Sequence, residues 1–270
     1  MSEQTTLAVL GTGAMGEAVV AGLLAGGWAP ERITVTARRP ERAAELVARH
    51  GVRTAGNREA ATADVVVLGV KPGDMAALLA EVEGALPATS LAVSIAAGLP
   101  TAFFEARLAP GTPVARVMPN TASAVGEGMS LLCAGSAATP AHLELVEELL
   151  APLGRVARLP EAQVDAATAV SGSGPAYHFL VAEAMTEAAV ALGLPRVLAR
   201  ELVAQTAYGA AALLRDSGRT ATELREQVTS PGGTTIAALR ELEAAGLRTA
   251  FFAALEAARD RGQEMGSRYA

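Results

Sequence analysis

Short apolar runs alternate with amphipathic stretches through the first half of the chain. Leu7–Leu10 reads as a buried strand, followed by a turn at Gly11–Gly16 and a helix over Glu17–Ala25 that Gly26-Gly27 closes. Ile33–Thr36 is a second β-branched run, and a polar amphipathic helix follows from Pro40 to about His50. Val65–Val70 is an unbroken apolar strand. Leu91–Ile95 and Val114–Val117 look similar, and Met129–Cys133 and Arg155–Leu159 are weaker strand candidates. Apolar strands with no in–out alternation, separated by helices, predict a parallel sheet covered on both faces.

From Glu161 the texture changes to Ala/Leu/Glu/Arg periodicity. Helices are predicted at 161–170, 176–192, 196–216, 220–228, 234–245 and 247–265. Gly193, Gly218 and Gly246 punctuate them, and Pro175, Pro195 and Pro231 stand near their starts. The predicted organisation is an α/β domain over 1–160 followed by an all-helical domain over 161–270. The Ala/Leu faces of 176–192 and 196–216 carry few charges. They offer more apolar surface than one thin helical layer buries, which predicts a homodimer through this half.

Composition narrows the partners. The 270 residues are 51% hydrophobic, ample for a core, and the net charge is −6 with acids and bases dispersed. With no basic block, nucleic acid is not an expected partner. Met1-Ser2-Glu3-Gln4 carries an acid and no positive flank, so no secretory signal is expected. Apolar stretches are interrupted before reaching membrane-span length, and a cytoplasmic location is expected. Cys133 is the sole cysteine, and His50, His142 and His178 are far apart in the chain, so no metal site is expected. His50 and His142 look like exposed helix positions. Lys71 is the only lysine among 22 basic residues.

Gly11-Thr12-Gly13-Ala14-Met15-Gly16 fits G-x-G-x-x-G between a strand and a helix, the context a dinucleotide site requires. The first Gly permits the tight turn, the second lets the backbone approach a pyrophosphate, and the third permits close helix–strand packing. The helix start adds free N–H groups and a partial positive charge. This is the signature of a Rossmann-type domain. An NAD binder usually places an acid at the end of the second strand. Here stand Thr36-Ala37-Arg38-Arg39-Pro40, with no acid before Glu41. Two guanidinium groups suit a 2′-phosphate, so NADPH is expected over NADH; the alternative is a solvated Arg pair. Gly69-Val70-Lys71-Pro72 and Ser94-Ile95-Ala96-Ala97-Gly98 each end a strand where ligands gather in open α/β sheets. The small residues of the second leave room for a nicotinamide ring; plain tight packing is the alternative.

Two Gly-rich segments interrupt the helical half: Ser171-Gly172-Ser173-Gly174-Pro175-Ala176-Tyr177 and Thr229-Ser230-Pro231-Gly232-Gly233-Thr234-Thr235. The backbone N–H groups of Gly232–Thr235 at a helix start can cradle a carboxylate, with hydroxyl donors from Ser230, Thr234 and Thr235. The bland alternative is a pair of interhelical turns.

The ordered set GTGAMG, GVKP, VMPNT, SGSGPAY and VTSPGGTT resembles the pyrroline-5-carboxylate reductases through essentially the whole chain. The resemblance implies a Rossmann domain followed by a helical dimerisation domain, and NAD(P)H-dependent reduction of 1-pyrroline-5-carboxylate to L-proline, the last step of proline synthesis. It also implies dimers that assemble further. Gly11 to Gly16 would then hold the pyrophosphate. Arg38, Arg39 and Asn57 would lie near the adenosine end. Val70, Lys71, Pro72, Ala96 and Ala97 would line the ribose and nicotinamide. Ser230, Gly233, Thr234 and Thr235 would line the substrate pocket, with the Thr235 hydroxyl near the ring nitrogen as the catalytic group. Members commonly carry a small residue at the place of Thr234, and some carry an acid near Gly218, which this chain lacks.

Two alternatives stay open at the level of sequence. One is a related cyclic-imine reductase, since one ring methylene is worth only about 1–3 kcal/mol in a pocket. The other is a 3-hydroxyacid dehydrogenase of similar build. That chemistry needs a base for the hydroxyl proton, in that group a lysine of the helical domain, and no Lys follows residue 71.

Overall fold

The computed structural model describes residues 5–268; Met1–Gln4, on which the expectation about a secretory signal rests, lie outside them. Eight strands form one sheet in the order β3-β2-β1-β4-β5-β6-β7-β8. They are β1 Leu7–Leu10, β2 Ile33–Val35, β3 Arg53–Thr54, β4 Val65–Leu68, β5 Leu91–Ser94, β6 Val114–Met118, β7 Gly128–Ala134 and β8 Gly154–Arg158. The helices are α1 Ala14–Ala25, α2 Pro40–His50, α3 Asn57–Ala60, α4 Pro72–Glu81, α5 Thr101–Glu105 and α6 Pro140–Leu150, then α7 Val164–Ala167, α8 Gly174–Ala191, α9 Arg196–Asp216, α10 Ala221–Gln227, α11 Thr234–Ala244 and α12 Leu247–Ser267.

The sheet is parallel from β3 to β6, as expected. β7 then pairs antiparallel with β6, Val117 opposite Leu132, while β8 runs parallel to β7. A uniformly parallel sheet is therefore a correction. Only nine residues, Pro119–Glu127, separate β6 from β7, too few for a parallel crossover. They are largely a 3₁₀ turn, Thr121–Val125, which Asn120 caps by accepting from Ala122 N–H.

Burial on both faces explains the unbroken apolar strands. Leu7, Val9, Val65, Val67, Leu91 and Val93 join one cluster with Val19, Val20 and Leu23 of α1 and Leu149 of α6. The intervening Ala8, Leu10, Val66, Leu68 and Ala92 join a second cluster with Met75, Leu78 and Leu79 of α4 and Phe103 and Phe104 of α5. Successive side chains go to opposite faces, so a strand covered on both sides has no polar alternate.

The chain divides into two compact units. One holds residues through Ser173 together with the chain from Ala257 onward; the other is Gly174–Glu256. Helix α12 thus runs through both. The helix expected over 161–170 is a correction: a 3₁₀ turn at Glu161–Gln163 passes into α7, then into a π-helical turn at Thr168–Gly172. Gly172 sits against Met118 and Thr168, where an added Cβ would come within 2.9 Å of Thr168 Cγ2. In the second unit α8 and α9 pack together, yet only Gly174, Thr186, Ala199 and Val203 are buried. Phe179 is 69% exposed, Tyr208 65% and Phe252 72%. No helix among the described residues is long and apolar enough to cross a membrane.

Candidate active site

The strand order reverses between β1 and β4, so their carboxyl ends open a crevice rather than continuing into helices on one side. Gly11 lies at the end of β1 with φ +80°, and a Cβ there would come within 2.3 Å of Val70 Cγ1. Only glycine satisfies both constraints. Gly13 is the N-cap of α1 and faces open space, so its backbone is accessible. A Cβ on Gly16 would meet Val9 Cγ1 at 3.1 Å, which is the close helix–strand approach the third motif glycine serves.

Thr36 holds this turn in shape. Its buried hydroxyl accepts from Gly11 N–H at 3.0 Å, and its carbonyl accepts from Thr12 N–H at 2.8 Å. Thr12 is itself buried and donates its hydroxyl to Val9 O. The tip of β2 therefore positions the glycine turn, a role that the Arg-centred reading of residues 36–40 does not anticipate.

Two adjoining clefts open here. One of about 370 Å³ is lined by Gly11, Thr12, Gly13, Arg38, Arg39 and Lys71, among others. The other, about 280 Å³, runs on past Thr36, Arg38, Asn57 and Val70 to α4. Of the residues expected at a cofactor site, the structure thus gathers Gly11, Thr12, Gly13, Arg38, Arg39, Asn57, Val70 and Lys71 around one crevice. Ala14 and Met15 form the first turn of α1, whose leading N–H groups have no side-chain cap. Pro72 opens α4, with Lys71 as an N-cap whose side chain makes no capping bond. Ala96 and Ala97 follow β5; Ala96 is buried and Ala97 half-buried. Neither Pro72, Ala96 nor Ala97 lines these two clefts. The strand predicted over Val65–Val70 ends at Leu68, so Gly69 and Val70 are freed to form the crevice lip.

Charge at the adenosine end comes from more than the expected pair. Arg42, one turn into α2, also lines the larger cleft. It is held by Glu17 at 2.5 Å and by Glu45 at 3.3 Å. Glu17 also bonds Arg49 and His50, so one carboxylate of α1 gathers three side chains of α2. The Arg42 bond above all, then His50 and Arg49, pulls the Glu17 pKa down from 4.5 to about 2 against the opposing effect of burial. His50 is therefore half-buried and paired, not exposed. His142 is half-buried too, its ring nitrogen accepting from Thr139 N–H in the capping box of α6. His178 is a surface residue. Arg42 lies in the first turn of α2, three residues past its N-cap Arg39.

The second Gly-rich loop lies in the other compact unit. Gly232 has φ +69°, and Gly233 N–H donates to Ser230 O at 3.1 Å to close the turn. A Cβ on Gly233 would strike Ser230 Oγ at 2.4 Å, so Gly233 keeps that hydroxyl in place. Gly233 is the N-cap of α11, with no side-chain cap and no acid in the first turn. Thr234 is exposed and Thr235 half-buried at the helix start. Thr229 closes the preceding turn by donating to Arg225 O at 2.6 Å. The capping box of α10 uses Glu223, whose carboxylate accepts from Thr220 N–H and hydroxyl. That bonding lowers its pKa. Among the described residues no group of three or more His, Cys, Asp or Glu is placed to hold a metal ion.

The comparisons with known proteins agree with this geometry. Residues 161–265 match the family model for pyrroline-5-carboxylate reductase dimerisation, and residues 6–98 match that for NADP oxidoreductase, coenzyme F420-dependent. The chain is 46% identical to pyrroline-5-carboxylate reductase of Corynebacterium melassecola over 97% of its own length and 99% of the relative's. It is 42% identical to the enzyme of that name from Mycobacterium tuberculosis, covering 96% of each chain. A pyrroline-5-carboxylate reductase structure from Coxiella burnetii superposes with a TM-score of 0.92 at 38% identity, covering 97% of this chain and 98% of that one. The Plasmodium falciparum pyrroline carboxylate reductase, solved with NADP bound, gives a TM-score of 0.87 at 29% identity over 98% and 99% of the two chains. With identity of this order from end to end, the chain belongs to the pyrroline-5-carboxylate reductase family.

Proposed function

We propose that this chain reduces 1-pyrroline-5-carboxylate to L-proline with NADPH, and that the residues above divide the work as follows. The leading amides of α1, from Gly13 through Met15, hold the pyrophosphate where the helix start is positive. Arg38 and Arg39 take the 2′-phosphate, and Arg39 has no ion-pair partner among the described residues. Asn57 borders the adenosine, and Val70, Lys71, Pro72, Ala96 and Ala97 border the ribose and nicotinamide. NADH is the weaker donor. Bound NADPH supplies the hydride that reaches the carbon of the ring C=N bond. The uncapped start of α11 receives the substrate carboxylate through its backbone N–H groups, with Ser230, Gly233 and Thr234 around it. Thr235 donates its hydroxyl to the ring nitrogen and supports its protonation. A protonated imine is already electrophilic, so alignment of donor and acceptor carries most of the rate and no strong base is needed.

The observation that carries this reading is the α11 start: a closed SPGGTT turn that leaves its helix amides without a side-chain cap. The same reading makes 161–270 the dimerisation and substrate domain and 1–160 the cofactor domain. It takes the working unit as a homodimer that assembles further in the cytoplasm, without nucleic acid or membrane as partner. Dispersed charge and the exposed apolar faces of α8 and α9 support this.

The test follows NADPH and NADH oxidation with 1-pyrroline-5-carboxylate, its six-membered homologue and a 3-oxo acid. Turnover is expected to be fastest with the five-membered ring and NADPH; preference for either other substrate overturns the assignment. Thr235→Ala is expected to lower kcat about 100-fold, the scale of a lost proton-transfer group, with NADPH affinity nearly unchanged. Equal kcat in the variant removes Thr235 from the mechanism.

A further inference from the structure

The crevice between β1 and β4 has walls of opposite charge. The β2–α2 side carries Arg38, Arg39 and Arg42, while α4 carries Asp74 and Glu81. These two acids are seven residues apart and so stand two turns along one helix face, with Ala77 and Leu78 between them. Glu81 is occupied by Asn57 Nδ2 at 2.9 Å. Asp74 lines both clefts and pairs with Arg38 at 3.0 Å. The side chains of Arg38 and Asp74 are 81% and 49% exposed, and an ion pair this open adds little to the stability of the fold. Asp74 also stands in the first turn of α4, where an acid suits the positive helix start, and that position sets its carboxylate on the lip of an arginine-lined anion site.

We infer that Asp74 sets the cofactor preference by competing with the 2′-phosphate for Arg38. This rests on the reading of the crevice as an NADPH site. A phosphate arriving at Arg38 must displace the carboxylate and then sit near it, and both steps weaken phosphate binding. A ribose with a free 2′-hydroxyl leaves the pair intact and offers that hydroxyl to Asp74 as a donor. Asp74 thereby restrains the advantage of NADPH and keeps NADH usable. The acid that NAD-binding domains place at the end of the second strand is absent here, and a carboxylate from α4 reaches the same guanidinium from the opposite wall.

The experiment measures binding of NADPH, NADH, 2′,5′-ADP and 5′-AMP to the full chain by calorimetry, for the unaltered protein, Asp74→Asn and Asp74→Glu. Asp74→Asn is expected to tighten 2′,5′-ADP and NADPH about fivefold at low salt, with NADH and 5′-AMP unchanged or weaker. The gain shrinks in about 0.5 M salt, where exposed charges are screened. Asp74→Glu keeps the charge and is expected to retain a ratio near that of the unaltered protein. An NADPH-to-NADH affinity ratio that stays the same or falls in Asp74→Asn, while both dinucleotides bind, overturns the role of Asp74 alone. Failure of both dinucleotides to bind the unaltered chain overturns the cofactor reading and this inference with it.

Discussion

The two compact units handle their apolar residues in opposite ways. In the unit built on the sheet, β1, β4 and β5 are buried at every position and β2 at Ile33 and Val35, and two clusters cover the faces. In Gly174–Glu256 only four residues are buried, and aromatic and Leu side chains stand in the open on α8, α9 and α12. One unit has a core of its own. The other has the apolar content of a core but lacks the second layer that would make it one. The family match to a dimerisation region spans that same helical stretch, which accounts for the surplus. The lesson is that apolar content alone does not say whether a segment packs on itself or on another copy.

Several changes break or sharpen this contrast. The largest effect is expected from Phe179→Asp combined with Phe252→Asp, both on the exposed helical surface. Burying each ring in an interface is worth roughly 1.5–3 kcal/mol, so loss of both abolishes self-association and activity. Sedimentation velocity reads the change directly, and a variant that still forms active dimers shows that these faces lie outside the interface. Next is Gly11→Ala in the self-sufficient unit. Its φ of +80° and the 2.3 Å approach to Val70 add strain of about 2–4 kcal/mol and displace the crevice lip. The melting temperature and NADPH affinity are both expected to fall; retention of both shows that the turn has room to relax.

The smallest effect concerns the Glu17 cluster. A carboxyl held at about 2 when folded, against an ordinary 4.5, contributes stability that is fully present above about pH 4.5 and is lost as pH falls toward 2. Glu17→Gln is expected to cost on the order of 1 kcal/mol at pH 7, with solvent screening taken into account, and almost nothing near pH 2. Urea titrations at pH 7 and pH 3 check this. An equal penalty at both values assigns Glu17 a role in packing instead of charge.

Much of the first unit was legible because its signals are local. Strands β1, β4 and β5 are apolar runs, β6 is apolar but for Arg116, and the glycine motif follows β1 directly. β3 was not legible: Arg53 and Thr54 are both exposed, so pairing with β2 leaves no apolar trace. α6 carried a start signal in Thr139-Pro140, where a cap residue precedes a proline at the first helical position. In the crevice, Arg38 and Arg39 were visible as the missing acid of an NAD site. Asp74 and Arg42 were not, because their relevance comes from the first turns of α4 and α2 lining one cleft.

The sequence by itself determined the buried strands β1, β4 and β5, the helices α1 and α2, the change of texture near residue 160, the dinucleotide turn and the family motifs. Each of these is written in neighbouring residues or in short periodicities. The tertiary structure alone decided the antiparallel turn from β6 to β7, the π-helical turn at Thr168–Gly172, the hold of Thr36 on Gly11, and the opposed charges of the crevice walls. Those features depend on which distant segments come to lie side by side, and pairwise proximity in space has no local imprint in the chain.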